Sequence, residues 1–520
     1  MSDSRARPAP GLRAWAALAL LGVAALNLQL FGIAHPPLID WANHLARHGI
    51  HCAAPGFDGQ AAYYDFALRW VPNLAGDLVH TLPAACADLL LTRAVLVQWA
   101  TTGLVLGVFA LHAAIWRRVS AWPAAAALFA HNMPLGFGFE NYVLAAAWVP
   151  WALALWVVLE RRGPVPAAAV FVPVMAGLYT LHLYAFGFLG AVLGGRALGL
   201  AWAARGRGIR ALAPVAAVAA AGALPLAHLA WLAATASGLE PGNTDYGDPG
   251  GKILALLSPV IPVTFGLDPR PLQGVAVLTV AAVVLGLVAL RGAGRPPVPA
   301  PGWGAALAGG LALTLAMPAI LDGIWFSDIR FPTLLACLFV AVTDPRLAPR
   351  QAGVFTGLLL AVLALRVAAL GADWRAHDAE VRQVLAAAAA LGPGDRLVAA
   401  RADESRAVFR HSSTPALVGA VTGAHVASLF QGANTLTPKP GVGPRHVRQG
   451  LMESLDLLLA EAAGAPVEAP PHLRDWRGYF THLLVIGEVA AAPPVPRARL
   501  VAGDDWFRLY RLAQDRPGAP

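Results

Sequence analysis

HPPLIDWANHLARHGIH, residues His35–His51, follows a long apolar run and gathers an acid, several imidazoles, an amide and a guanidinium just beyond it. Helical spacing from Leu38 places Asp40, Asn43, His44, Arg47 and His51 on one face, at i, i+3, i+4, i+7 and i+11. Leu38, Trp41, Leu45 and Ile50 take the other side. The pattern predicts a short helix lying flat on a bilayer, apolar side down, with Trp41 at headgroup depth. Its polar face would then stand at the mouth of a helical bundle. A solvated interfacial helix with an inert polar face fits the same spacing.

A chain of 520 residues that is 57% hydrophobic and 13% charged is not a soluble globular protein, in which about a quarter of residues are charged. Mean hydropathy is +0.59 and the pI about 9.8. The net charge of +8 does not mark nucleic-acid binding, because the basic residues stand in pairs between apolar runs. Arg5, Arg7 and Arg13 precede a first run of spanning length, which reads as a retained span rather than a signal peptide.

Apolar runs lie near 14–34, 90–115, 121–138, 141–160, 165–181, 183–204, 211–236, 272–290, 302–321, 332–343 and 351–370, about eleven spans. The stretch 252–266, KILALLSPVIPVTFG, reads as re-entrant or interfacial. Arg117 and Arg118, Arg161 and Arg162, Arg205, Arg207 and Arg210, Arg291 and Arg295, and Arg346 and Arg350 fall in alternate loops. Asp58, Asp65, Asp77, Glu240, Asp245, Asp248 and Asp322 fall in the others. The alternation predicts a cytoplasmic N-terminus and puts everything after Gly371 outside. The fold class is therefore mainly α: a polytopic bundle over 1–371 with a long first outer loop, 35–89, and a soluble α/β domain over 372–520.

Phe57, Tyr63, Tyr64, Phe66 and Trp70 predict that the long loop is folded. In the tail, Asp373–Leu391 and Leu451–Ala463 read as helices and Arg396–Ala400 and His482–Ile486 as strands. Arg497–Val501 and Trp506–Leu512 read as a closing hairpin. Cys337 reads as a core residue, and a Cys52–Cys86 disulfide is left open. No Walker A, GxSxG or HExxH motif is present.

Four groups of side chains are candidates for chemistry. Asp40, flanked by His44 and Arg47, suits a general base or electrostatic anchor held ionised by the arginine. HNMPLGFGFENY, His131–Tyr142, brings Glu140, Asn141 and Tyr142 into a span, and His182 lies among aromatics at another outer end. In LDGIWFSDIRFP, Arg330 follows Asp328, and its planar fork suits a phosphate. A plain Asp328–Arg330 salt bridge, a Gly-rich turn and a satisfied core histidine are the bland alternatives. The loop 237–252, with Glu240, Asn243, Asp245, Tyr246, Asp248 and Lys252, reads as a cover or as solvation. His35 and His51 offer metal ligand atoms, but no spacing closes a site, so neither a metal nor a cofactor is assigned.

This layout resembles the GT-C class of membrane glycosyltransferases. Within it the chain is similar to bacterial membrane proteins with a loop of the type PPLIDWANHLAR, a turn of the type GFGFENY and a tail of the type FRLYRL. The second acid of the class's paired signature is absent, since Trp41 follows Asp40. The resemblance implies a polyprenyl-phosphate-linked sugar donor in membrane lipid and an extracytoplasmic glycan, lipid or protein acceptor, in a bacterial inner membrane. It maps Asp40 onto the class's first-loop acid and Arg330 loosely onto the basic groups that hold the lipid phosphate. With the groups above, Asp40 and His44 are the expected catalytic residues, and Asn43, Arg47, Glu140, Asn141, Tyr142, His182, Asp328 and Arg330 the substrate-binding ones. A permease or an envelope assembly protein is the rival expectation.

Overall fold

The computed structural model describes residues 10–28, 30–54, 58–235, 242–262, 270–403, 405–429, 436–440, 442, 452–488 and 494–513. Arg5, Arg7, Phe57, Glu240 and the end of the 252–266 stretch lie outside them. Among the described residues, seven helices are long and apolar enough to cross a membrane: Leu89–Trp116, Glu140–Glu160, Pro164–Leu181, Leu183–Ala203, Arg205–Thr235, Leu272–Gly292 and Pro349–Ala390. Arg13–Ala25, Gly304–Ala316 and Arg330–Val342 are shorter apolar helices. With this inventory the chain is an integral membrane protein.

Small residues set how closely the helices approach. A Cβ at Gly195 would lie 2.4 Å from the Ala305 carbonyl, and one at Gly309 2.7 Å from that of Ala191. The helices Leu183–Ala203 and Gly304–Ala316 therefore touch backbone to backbone, the route to stability in lipid where apolar burial alone drives nothing. At one end of the bundle Arg118 pairs with Asp344, Arg295 donates to the Arg346 carbonyl, and Arg196 pairs with Glu160 at 2.6 Å.

One expected span is not an α-helix. The run 121–138 folds as a 3-10 helix, Trp122–Phe129, and a short helix, Met133–Gly136. Pro123 and Pro134 remove backbone donors, and the segment is tolerated at membrane depth because it is buried in protein. Trp122 Nε1 ties it to the Val340 carbonyl at 3.0 Å. The stretch 252–266 enters as the helix Pro249–Leu257, capped by Asp248, and a turn through Val260.

The long first loop, 35–89, is folded over its described residues, but not as a surface helix. Helix Trp41–His51 starts at Asp40 rather than Leu38, and Asn43, His44 and His48 are as buried as Leu45 and Ala46. It is roofed by helix Thr414–Thr422 from the tail, and Asn43 donates to Ser413 Oγ at 2.8 Å. Tyr64–Phe66 pairs antiparallel with Leu436–Pro438. A flat interfacial pose needs a wet face; here both faces are covered.

The tail builds a mixed sheet. Arg396–Arg401 runs parallel to His425–Val426, Glu453–Ser454 and His482–Ile486. Phe507–Arg511 pairs antiparallel with His482–Ile486 and with Arg499–Asp504, the expected hairpin. HLLVI is buried throughout because both faces of that strand are covered, Leu484 and Ile486 on one side and Leu483 and Val485 on the other. Helix Pro349–Ala387 is continuous from the bundle into this region, and the second expected helix spans Leu455–Ala462.

Cys52 and Cys86 form a disulfide, closing a separation of 34 residues and pinning the end of helix Trp41–His51. Chain-entropy loss on cross-linking a loop of that length is worth about 3–4 kcal/mol. Cys52→Ser is therefore expected to lower the melting temperature in detergent, and reductant to do the same to the wild type only. Equal melts with and without reductant would show that the bond carries no stability.

Candidate active site

Asp40 caps a helix without donating its side chain to the task. Its backbone is gripped instead: Asp40 N–H donates to the Phe137 carbonyl at 3.1 Å, and Ile39 N–H to that of Gly136 at 3.3 Å. This approach requires Gly138, whose φ is +74° and whose Cβ would stand 2.8 Å from Asp40 N. The carboxylate itself has no hydrogen-bond partner among the described residues. Burial pushes its pKa up to about 8, against the opposing pull of the Arg330 guanidinium.

Arg330 opens helix Arg330–Val342 and is buried. Its guanidinium lies over Phe139, 4.4 Å from the ring centre, and over Tyr184 at 4.8 Å. Phe139 belongs to the turn that grips Asp40, so acid and arginine flank one loop. Nη1 donates to the Phe326 carbonyl at 3.0 Å, whereas buried Nε has no partner. Tyr142 hydroxyl donates to the Arg330 carbonyl, and His182 caps the next helix, accepting from Tyr184 N–H at 3.1 Å while packing edge-on to Tyr142. Asp328 does not pair with Arg330; Lys252 reaches it at 3.2 Å.

Below Arg330 an apolar groove of about 1140 Å³ begins at Pro332 and extends to Arg350. Phe129, Val260, Val283, Leu335, Phe339 and Leu358 line it. Its volume is enough for a hydrocarbon tail, and Pro332 of its lining stands two residues after Arg330.

Behind Asp40 lies a second polar cluster. Arg93, from the run read as purely apolar, pairs with Glu140 at 2.6 Å, donates towards His48 Nδ1 at 3.1 Å and covers the Trp41 ring at 4.0 Å. Arg47 does not hold Asp40 ionised as the spacing suggested; it pairs with Asp77 at 2.8 Å. Asn141 accepts from Gly76 N–H and donates to the Asn73 carbonyl, both at 2.7 Å. His48 stacks on His80 with ring centres 3.8 Å apart. Burial lowers the pKa of His44 to about 4, so this ring is neutral at pH 7.

Ligand atoms of His44, His48 and Glu140 lie within 4.8 Å of one another, a closeness no spacing in the sequence announced. Two of the three are engaged by the Arg93 guanidinium, which places a cation there already. A lone arginine inside an apolar run was the available signal for this cluster. Arg93→Met would strand Glu140 in the interior, and a loss of about 3–5 kcal/mol is expected. Adding Glu140→Gln should restore part of the melting temperature; no restoration would show that the pair does not act as a unit.

The architecture is that of the GT-C membrane fold. The crystal structure of ArnT from Cupriavidus metallidurans bound to undecaprenyl phosphate aligns with a TM-score of 0.50 over 98% of this chain and 99% of that one, at 12% identity. The apo-state structure of the same protein aligns at 0.48 over the same shares, at 13% identity. No family model matches the chain, and no curated protein matches its sequence.

Proposed function

We propose that this chain is a membrane glycosyltransferase that moves a sugar from a polyprenyl-phosphate carrier to an extracytoplasmic acceptor. The observation that carries the reading is Arg330 Nε, buried without an acceptor two residues before Pro332 of the apolar groove, with the Asp40 carboxyl near enough to feel its charge. A buried donor left unpaired calls for an acceptor, and a lipid phosphate entering along the groove supplies one. The neighbouring ArnT structure holds undecaprenyl phosphate, which supports that class of lipid.

In the reaction, the bond between the sugar's anomeric carbon and the phosphate oxygen breaks, and its electron pair leaves with polyprenyl phosphate. The acceptor oxygen bonds to the anomeric carbon, and its proton passes to Asp40. Arg330 stabilises the charge that develops on the phosphate. Tyr142 and His182 shape the same end. His44, Asn43, Arg47, Glu140, Asn141 and Asp328 act as framework around it, holding the acid and the arginine in place.

The proposed setting is a bacterial inner membrane, with a cytoplasmic N-terminus and residues 372–520 as an extracytoplasmic domain. A permease would gather its ionisable groups near the midplane between repeats; Asp40 and Arg330 instead stand at the starts of helices, either side of one turn. The test is to reconstitute the full chain in proteoliposomes with labelled polyprenyl-phosphate sugars and follow release of the carrier phosphate. Release with transfer of label supports the reading. Failure both to bind polyprenyl phosphate and to release it from any donor would overturn it.

A further inference from the structure

Arg366 lies on helix Pro349–Ala387, has no exposed surface, and stands outside the reactive end described above. An arginine among apolar span residues is costly unless its donors find acceptors. Nη1 donates to the Val260 carbonyl at 2.7 Å and to Thr279 Oγ1 at 3.3 Å, and Nη2 donates to the His131 carbonyl. None of these acceptors is a charge. Two are carbonyls freed where helical backbone breaks. His131 separates the 3-10 helix Trp122–Phe129 from helix Met133–Gly136, and Val260 lies in the turn after helix Pro249–Leu257.

Ser258 joins these two breaks to the site. Its carbonyl accepts from Met133 N–H at 3.0 Å, and its hydroxyl donates to the Ile329 carbonyl at 3.0 Å. Met133 begins the short helix whose following turn grips Asp40, and Ile329 immediately precedes Arg330. Packing repeats the connection, since Ile39, Met133, Phe137, Ala255 and Ile329 form one buried cluster. Acid and arginine thus hang from a single guanidinium through one serine.

We infer that Arg366 is a positioning residue, on the glycosyltransferase reading above: it touches no substrate and sets the separation of Asp40 and Arg330 on either side of the 136–139 turn. The planar fork suits this task because it spans carbonyls from separate segments at a fixed distance, which a lysine ammonium cannot do at once. Misplacement by about 1 Å is enough to cost roughly a hundredfold in rate.

The test compares Arg366→Met, Arg366→Lys and Ser258→Ala in the full chain in nanodiscs. Amide hydrogen exchange is read over 129–139, 258–262 and 327–331, with transfer kinetics alongside. Arg366→Met is expected to speed exchange in all three segments by about tenfold or more. It should lower kcat roughly a hundredfold with lipid KM nearly unchanged, and shift the pH–rate limb assigned to Asp40. Ser258→Ala should loosen 327–331 while 258–262 stays protected, and Arg366→Lys should recover part of both effects.

Unchanged exchange over 129–139 and 327–331 in Arg366→Met would overturn the inference. So would a loss of protection spread evenly over the protein, with kcat and pH profile of the folded fraction intact, which is what a merely structural residue gives. Should the methionine variant not fold, Ser258→Ala and Arg366→Lys decide by the same readouts. Absence of transfer by the wild type would sink the glycosyltransferase reading and leave the exchange result standing by itself.

Discussion

Asp40→Asn is expected to lower the rate of carrier release by about a thousandfold, within the range for losing a positioned general base. In the same variant the protein should melt higher, not lower. The two effects share one cause. Burial holds the Asp40 carboxyl near pKa 8, far above its ordinary 3.8. In the unfolded chain the group ionises at the ordinary value, so between about 4 and 8 the folded state binds the extra proton. Stability therefore falls as pH rises through that window.

Asparagine cannot ionise and escapes the loss, so the gap in melting temperature between variant and wild type should widen from pH 5 to pH 8. Catalysis runs the other way, because a base must be deprotonated to accept the acceptor's proton. Wild-type kcat should rise with pH and level off above about 8, and the residual rate of the variant should be flat. Unchanged turnover in Asp40→Asn would remove this residue from the mechanism. A melting temperature that falls alongside activity would show that the carboxylate serves structure instead.

Arg330→Met is expected to weaken binding of polyprenyl phosphate by roughly a hundredfold or more, the cost of removing one partner from a buried charged pair. Binding of the uncharged polyprenol should barely change, because the groove below Pro332 is left intact. Arg330→Lys keeps the charge and loses the fork, so its loss should be smaller. Native mass spectrometry in matched lipid titrations measures both. Arg330 also pulls the Asp40 pKa down, so in Arg330→Met the rising limb of the rate profile should move to higher pH. Equal losses for phosphate and alcohol would mean that the variant damaged the groove rather than the phosphate site.

Much of the architecture was legible in the residues. The apolar runs outlined the helices because hydrocarbon demands internal backbone hydrogen bonding over a fixed length, and few sequences meet that demand by accident. HLLVI and the closing hairpin were readable because strand patterning is local, although the turn expected at Gly503-Asp504 falls at Asp505-Trp506. The run 121–138 misled for a physical reason: composition reports how apolar a segment is, while Pro123 and Pro134 decide whether it can be a regular helix.

The helix Trp41–His51 misled for another. Spacing shows which residues share a face but not what covers that face, and here the tail helix Thr414–Thr422 and the Arg93–Glu140 pair cover it.

By itself the sequence determined that this is a many-pass membrane protein with a folded first loop, an α/β tail, and an acid and an arginine set at the ends of apolar segments. Those features follow from hydrophobicity and periodicity, which act along the chain. Only the tertiary structure decided that Arg47 serves Asp77, that Arg93 neutralises Glu140, and that Asp40 and Arg330 flank one glycine turn. Pairings of that kind depend on which distant segments are brought within a few ångströms, and electrostatics over such distances is not written in local order.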